Sequence, residues 1–183
     1  MDETRTVYGC IFCITGEEEE LSKLIEYKCP DVRARAAQYI RHRTYKGVHT
    51  RDTKVFLPGY VFFETVDDLF VPLDFPRDLG YRVIRNHVGD WRLMGSDEDF
   101  AKWLFTYDGL LTFSKAYEID QWIYFLSGPL KDMEGSIVKV DKRGRSALIR
   151  FRFQNKVFTT WLGYELVDPP EQTSTYQTSG ETR

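Results

Sequence analysis

The sequence predicts an α+β domain over residues 1–108, with helices against an antiparallel sheet, followed by a small all-β barrel over residues 119–170. Two observations lead to this division. In the first part, short apolar runs typical of strands alternate with two helical patterns, whereas the second part contains only short strand patterns and turn residues. The chain has 183 residues, of which 42% are hydrophobic, and this composition is sufficient for two cores.

The first domain begins with an apolar run over residues 7–14, rich in strand-forming residues, which predicts a buried strand. Thr15 follows as a candidate N-cap, and Glu18 stands three residues later, which is the spacing of a capping box. The pattern therefore predicts a helix that starts after Thr15 and that Pro30 ends.

Residues 33–54 have weak periodicity, which predicts a ragged strand followed by a loop near Lys46-Gly47. The next run, over residues 54–64, is dense in aromatic residues and valine but too short for a helix. Pro58-Gly59 interrupts it, and since proline cannot donate to a strand ladder, a turn or bulge is expected there.

Residues 66–80 are predicted to be irregular, and residues 81–85 to form a short strand. Ser96 is then expected to cap a second helix, which Asp108-Gly109 ends. An apolar stripe at helical spacing supports this helix: Phe100, Trp103, Leu104 and Tyr107.

Residues 109–118 are small and polar in character and are predicted to be a linker. Five short strand patterns follow, over residues 122–125, 136–141, 146–153, 156–162 and 164–167, and together they predict an SH3-like barrel. Ile149, Phe151 and Phe153 should face its core, whereas Arg150 and Arg152 should face solvent. Residues 171–183 are predicted to be a disordered tail.

The net charge of −3 conceals two basic segments. Residues 33–54 and residues 139–156 each carry seven cations against a single aspartate, so that the rest of the chain is strongly acidic. Such sorting of charge indicates contact with a polyanion at defined places. The alternative is that the cations only keep an exposed sheet face soluble.

No catalytic signature is present: the chain contains no nucleophile elbow, no phosphate loop, no zinc-protease motif and no dinucleotide turn. Cys10 and Cys13 have C-x-x-C spacing, but Cys29 and the histidines do not supply a second pair of ligands, and so no metal and no cofactor is expected. With neither a secretory signal nor a long apolar stretch, the protein is expected to be a cytoplasmic, monomeric binding protein with no membrane contact, rather than an enzyme.

Two strings carry a resemblance to a known family. Residues 127–140, SGPLKDMEGSIVKV, resemble the KOW motif, with Gly128, Pro129, Gly135, Ile137 and Val138 at its key places. Residues 56–64, FLPGYVFFE, resemble the Pro-Gly-Tyr-Val strand of the NusG N-terminal (NGN) domain, and residues 7–21 resemble the opening strand, glycine turn and first helix of that domain. In this order and spacing, the strings are similar to the NusG-like family of transcription elongation factors.

This resemblance implies an NGN-like domain that binds RNA polymerase through an apolar face, to which Tyr8, Phe12, Leu57 and Tyr60 would belong. It also implies that the first basic segment approaches DNA, including the non-template strand, through Arg33, Arg35, Arg41 and Arg43. The KOW domain of such proteins contacts RNA, the termination factor Rho or a ribosomal protein, depending on the member.

Departures from the family pattern favour a specialised member. Residues 82–100 differ from the string usual before the second helix, Met133 stands in place of a bulky aromatic residue, and the barrel edge is rich in arginine. We therefore expect an antiterminator of the LoaP type, with RfaH-like and capsule-operon paralogues as close alternatives. Its barrel would bind nascent RNA, such as a structured leader, through Lys142, Arg143, Arg145, Arg150, Arg152 and Lys156. A general NusG-type factor and a ribosome-associated KOW protein remain alternatives.

Overall fold

The computed structural model of the chain describes residues 5–45, 48–66, 80–86 and 88–170, and it has mixed α and β structure in which sheets predominate. The helices are α1 (Glu18–Lys28), α2 (Ser96–Thr106) and the single-turn α3 (Pro129–Asp132), which a 3₁₀ turn (Glu134–Ser136) follows. The strands are β1 (Thr6–Phe12), β2 (Arg33–Ala36), β3 (Gln38–Tyr45), β4 (Val48–Val55), β5 (Tyr60–Val66), β6 (Arg82–Val83), β7 (Leu110–Leu111), β8 (Ser114–Ile119), β9 (Trp122–Ser127), β10 (Ile137–Asp141), β11 (Ser146–Phe153) and β12 (Lys156–Leu166). The predicted α+β class is confirmed.

An antiparallel sheet of order β2-β5-β1-β6 forms the centre of the first domain. Because side chains alternate along a strand, Ile11 and Val61 point to the face covered by α1, whereas Tyr8 and Phe62 point to the other face. Gly9 lies opposite Phe63, whose ring covers it so closely that an added Cβ would stand 2.2 Å from a ring carbon. The glycine is therefore required by the close approach of the aromatic ring.

Helix α1 confirms the first predicted helix, but the predicted capping box does not form. The N-cap residue is Glu17, which makes no side-chain cap hydrogen bond. The Glu18 carboxylate is buried and accepts hydrogen bonds from the backbone N–H groups of Gly16 (2.8 Å) and Gly59 (2.7 Å). The Glu18 carboxylate therefore binds the Pro58-Gly59 turn, which is distant in sequence, instead of closing a capping box with Thr15.

The turn predicted at Pro58-Gly59 is confirmed, since β4 ends at Val55 and β5 begins at Tyr60. Gly59 has a φ of 83°, and a Cβ there would approach the Phe12 ring to 3.0 Å. The first basic segment forms β2, β3 and β4 instead of one ragged strand. Strands β3 and β4 pair along their whole length, and the loop predicted at Lys46-Gly47 lies outside the described residues.

Helix α2 begins at Ser96 as predicted, but its N-cap residue is Gly95, so Ser96 is not the cap. The predicted stripe faces the core: Phe100 and Leu104 are buried, and Trp103 and Tyr107 are half-buried. The helix ends before Asp108-Gly109, whose φ values of 50° and 80° turn the chain towards β7.

The second part of the chain forms a curled five-stranded sheet of order β10-β11-β12-β8-β9. Its first strand, β8, falls in residues 109–118, which were predicted to be a linker, and β7 in the same segment pairs with β3. The linker prediction is therefore wrong for most of these residues. Strand β8 has two partners: it pairs antiparallel with β9, from Lys115 opposite Ser127 to Ile119 opposite Trp122, and parallel with β12, from Tyr164 opposite Ser114 to Leu166 opposite Ala116.

Strand β12 is one continuous strand, where the sequence predicted two separated near Gly163. The glycine does not break the strand because the ring of Phe113 occupies the space above it, 2.3 Å from where a Cβ would stand. The same ring stacks on His42 at a centroid distance of 4.1 Å, and this contact joins β12 to the β3–β4 hairpin.

The two parts of the chain share one hydrophobic cluster. The Phe153 ring lies 5.0 Å from that of Phe62 and 5.6 Å from that of Phe100, and the Phe151 ring lies 5.0 Å from that of Phe100. Two polar contacts border this seam: the Tyr107 hydroxyl donates to Asp132 Oδ2, and Gln154 donates to Asp97. Among the helices described, none has the length and apolar character that a membrane span requires. The predicted tail, residues 171–183, lies outside the described residues.

Candidate nucleic-acid interface

Strand β11 has the alternation that the sequence predicts. Ile149, Phe151 and Phe153 are buried, whereas Arg150 and Arg152 are exposed. Residues two apart on a strand lie on the same face at a spacing of roughly 7 Å, so both guanidinium groups project from one side of the sheet. This spacing is comparable to that of phosphates along a nucleic-acid backbone.

The outer face around these arginines is free of carboxylates at the paired positions. Arg150 stands opposite Thr159 and Arg152 opposite Val157 on β12, and Trp161, next on the same face, is 39% exposed. The cross-strand neighbours of both arginines are therefore neutral, and no salt bridge joins either arginine to a carboxylate among the described residues, although Asp97, Asp99 and Asp132 line the cavities beside them. An exposed aromatic ring beside cations is a common arrangement in nucleic-acid-binding surfaces.

The cations of the β10–β11 turn lie apart from those at the far end of β11. Arg143 and Arg145 are exposed before the strand begins, and Lys156 is exposed beyond its end. From Arg145 to Arg150 the strand rises by roughly 17 Å. The candidate RNA-binding cations therefore form two groups, one at each end of β11.

Lys142 differs from the other five RNA-binding candidates. Its Nζ donates to Glu118 Oε1 at 2.8 Å and also to the carbonyl oxygen of Gln121. No salt bridge joins the other five to a carboxylate in the described part of the chain. Those five are Arg143, Arg145, Arg150, Arg152 and Lys156.

In the first basic segment, Arg33 and Arg35 converge on Asp108. Arg33 Nη2 and Arg35 Nε donate to Asp108 Oδ1 at 3.0 and 2.8 Å, and Arg33 also pairs with Glu64 and Arg35 with Glu26. The hydrogen bond from Arg35 is the largest cause that lowers the pKa of Asp108. These two arginines connect β2 to its neighbours, and their charges are already neutralised.

The remaining cations of this segment show the same behaviour where they are described. Asp52 lies 3.6 Å from Arg41 and 3.2 Å from Lys54, and Arg51 pairs with Glu165 of β12 at 2.7 Å. The Arg43 side chain lies outside the described residues. The three described candidates predicted to lie near DNA, Arg33, Arg35 and Arg41, are therefore paired with carboxylates of the chain itself.

The structure buries most of the apolar face predicted to bind RNA polymerase. Leu57 is completely buried, and Tyr8 and Tyr60 are 7% and 8% exposed, whereas Phe12 is half-buried. The Tyr60 ring meets the Phe153 ring edge-on at 5.5 Å, so the tip of the β11–β12 hairpin covers it. Burial is the main cause that raises the pKa of both tyrosine hydroxyls. In this arrangement, these residues form the core between the two parts of the chain.

The C-x-x-C pair is separated by the sheet, as the strand pattern predicts. Cys10 packs on the face that bears α2, and Cys13 on the face that bears α1. Burial raises the pKa of the Cys13 thiol to about 11 and that of Cys10 well above its usual range, which disfavours thiolate chemistry. Within the described segments, no three histidine, cysteine or acidic side chains come together as metal ligands would.

Two arginines that the sequence did not single out lie beside the hairpin tip. Arg85 and Arg92 line a cavity together with Arg152, although they precede it by 60 residues or more. They come there because β6 pairs with β1 and Arg92 bridges to Gly9. No local pattern in the sequence marks them, since their proximity to β11 depends on the contact between the two parts of the chain.

The chain matches no model of a known protein family, and a search of curated proteins finds no match either.

Proposed function

We propose that this chain is a specialised transcription antitermination factor, similar to the NusG-like family, that binds RNA through the exposed face of β11. One observation carries the proposal: Arg150 and Arg152 project from the same sheet face with neutral cross-strand neighbours. The two family-like strings support the assignment to transcription. FLPGYVFFE forms a turn and a central strand, and SGPLKDMEGSIVKV joins two strands of the curled sheet.

Arginines with a structural role in this fold are paired with acids, as Arg33 and Arg35 are. Arg150 and Arg152 contribute no such pair in the described part of the chain, so their charges remain available to a polyanion. Structured RNA is bound largely through its phosphates and shape, and the planar guanidinium group can bind a phosphate with two hydrogen bonds.

The same protein would bind RNA polymerase through Tyr8, Leu57 and Tyr60, and this binding requires a change of conformation. Phe153 covers Tyr60 in this structure, so that face becomes accessible only when the β11–β12 hairpin moves away. Phe12, which is half-buried and has the Arg82 guanidinium over its ring at 5.6 Å, is the member of the set nearest to solvent.

A second candidate function is that of a general NusG-type elongation factor whose second domain binds a protein. The edge strand β9 favours it, since Trp122 is 71% exposed and Tyr124 is 46% exposed. Exposed aromatic residues on a rigid strand are effective anchors for protein partners. This candidate predicts tight binding of Rho or a ribosomal protein and no preference for RNA.

The test is RNA binding by the double variant Arg150→Ala/Arg152→Ala, measured by fluorescence anisotropy with a synthetic RNA stem-loop in graded salt. We expect affinity to fall roughly tenfold and the salt slope to fall by about two, because two phosphate contacts are lost. Lys23→Ala/Lys28→Ala, which removes the same charge from exposed positions of α1, is the control and should change affinity by less than about twofold. Equal affinity and equal slope in the two double variants would refute RNA binding by this face.

A further inference from the structure

A cavity of about 410 Å³ lies where the two parts of the chain meet. Its walls come from the segment between β6 and α2, from the start of α2, and from the tip of the β11–β12 hairpin. Three arginines reach it from two distant segments: Arg85 and Arg92 from the first part, and Arg152 from β11. The volume falls within the range of roughly 300–1,000 Å³ that is typical of small-ligand sites.

The charge of the cavity favours an anion. Among the described residues that line this cavity, three are arginines and one, Asp97, is a carboxylate, which already accepts hydrogen bonds from the Gln154 backbone N–H (3.1 Å) and from Gln154 Nε2 (2.7 Å). Arg85 donates through Nη1 to the Gly89 carbonyl oxygen, and within the described part of the chain its other guanidinium nitrogens make no further hydrogen bond. The dipole of α2 adds little, because the acids of its first turn offset it, and the arginines therefore provide the attraction.

A second cavity, of about 440 Å³, adjoins the first. Ser96 and Arg152 line both cavities, so the two open side by side along the start of α2. The second cavity has a different chemistry, since the half-buried Trp103 ring and the largely buried Phe151 ring line it beside Arg150. Two carboxylates, those of Asp99 and Asp132, line it as well. A flat aromatic group therefore fits here, next to an anion held by the three arginines.

We infer that this seam binds a single-stranded segment of RNA, with a backbone phosphate among Arg85, Arg92 and Arg152 and an adjoining base against Trp103. The alternation of an arginine-lined cavity with an aromatic one matches the alternation of phosphate and base along a strand. Neither cavity is large enough for a duplex, so the bound segment must be unpaired. The inference rests on the proposed function, because Arg152 serves both the outer face and the seam.

The probe is a short fluorescent oligouridylate, titrated against the full-length protein in graded salt. In Arg85→Ala/Arg92→Ala we expect binding of this single strand to weaken roughly tenfold, while binding of the RNA stem-loop changes less than about twofold. Arg85→Lys/Arg92→Lys keeps the charge and should restore most of the affinity. This variant also controls for misfolding, and its thermal midpoint should match that of the wild type. The control is again Lys23→Ala/Lys28→Ala, which removes the same number of positive charges.

An abasic strand with the same number of phosphates tests the aromatic cavity. We expect it to bind roughly fivefold more weakly than oligouridylate, because base stacking is lost. Unchanged oligouridylate affinity in Arg85→Ala/Arg92→Ala, with stem-loop binding still dependent on Arg150 and Arg152, would overturn the seam site and leave the proposed function intact. If Arg150→Ala/Arg152→Ala also bound both RNAs like the wild type, both proposals would fail. Equal affinity for the abasic strand would overturn the base position.

Discussion

Residues 33–54 and residues 139–156 carry the same charge, with seven cations and one aspartate each, but their cations have different surroundings in the structure. In the first segment, Arg33 and Arg35 bind carboxylates of neighbouring elements. In the second, Arg150 and Arg152 face neutral residues across the strand pair. Equal composition thus produces a set of internal cross-links in one region and an exposed cationic face in the other.

The difference has a topological cause. Strand β2 lies at the edge of its sheet between α1 and the α2–β7 junction, both of which supply acids, and so its arginines have partners within reach. At Arg150 and Arg152, strand β11 extends beyond its last pair with β10, at Ile149, and pairs with β12 alone, where the side chains opposite are the neutral Thr159 and Val157. Whether a cation has a structural role or a binding role thus depends more on its neighbours than on the net charge of its segment.

The largest effect that we predict concerns Phe153, which holds the second basic segment against the first domain. Its side chain is fully buried among Tyr60, Phe62 and Phe100, so Phe153→Ala should reduce the free energy of unfolding by about 3–5 kcal/mol in urea denaturation. Val157→Ala, at an exposed position on the same hairpin, should cost less than about 0.5 kcal/mol.

A loss of less than about 1 kcal/mol in Phe153→Ala would mean that the hairpin is not seated on the first domain in solution. The two basic segments would then belong to independently moving units. In that case, the different surroundings of their cations could not be attributed to positions within a single folded unit.

Local patterns predicted the elements of this fold that depend only on local chemistry. The period of two in β11, the apolar stripe of α2 and the turn at Pro58-Gly59 all appear as expected. The sequence did not reveal β8, which pairs with the neighbouring strand β9 on one side and with β12 on the other. It also did not reveal the continuity of β12 through Gly163, because that depends on Phe113, a partner distant in sequence that fills the space above the glycine.

The same reasoning applies to the candidate site. The exposure of Arg150 and Arg152 follows from alternation and was predictable. The neutralisation of Arg33 and Arg35 was not, since Asp108 is more than 70 residues away along the chain. The burial of Tyr60 could not be predicted either. A strand pattern shows which face is apolar, but it does not show that another part of the chain covers that face.

Asp108 offers a test of the structural role of the first segment. Asp108→Asn removes the charge that both Arg33 and Arg35 bind, and because Asp108 is largely exposed, we expect a loss of only about 0.5–1 kcal/mol in the free energy of unfolding near neutral pH. RNA affinity should stay unchanged within about twofold, unlike that of Arg150→Ala/Arg152→Ala.

The pH dependence of this contribution follows from the lowered pKa of Asp108. In the folded protein the pKa lies below its ordinary value of 3.8, so the contribution is complete above that value and is lost as pH falls through the lowered pKa. Urea denaturation at stepwise lower pH should show a steeper acid loss in the wild type than in Asp108→Asn. Parallel pH curves would show that the ion pairs do not stabilise the fold.

The smallest effect concerns Lys142, the paired exception within the second basic segment. Because Glu118 already neutralises its charge, Lys142→Ala should lower RNA affinity less than Arg143→Ala, for which we expect a loss of roughly threefold. Glu118→Gln should act in the opposite direction and raise RNA affinity, since it frees the Lys142 ammonium group for phosphate. Anisotropy titrations of the three variants with the RNA stem-loop measure this order. Two outcomes would contradict this prediction: weaker RNA binding by Glu118→Gln, or equal RNA affinity of Lys142→Ala and Arg143→Ala. Either would show that pairing with a carboxylate does not decide which cations bind RNA, so the contrast between the two segments would have no functional consequence.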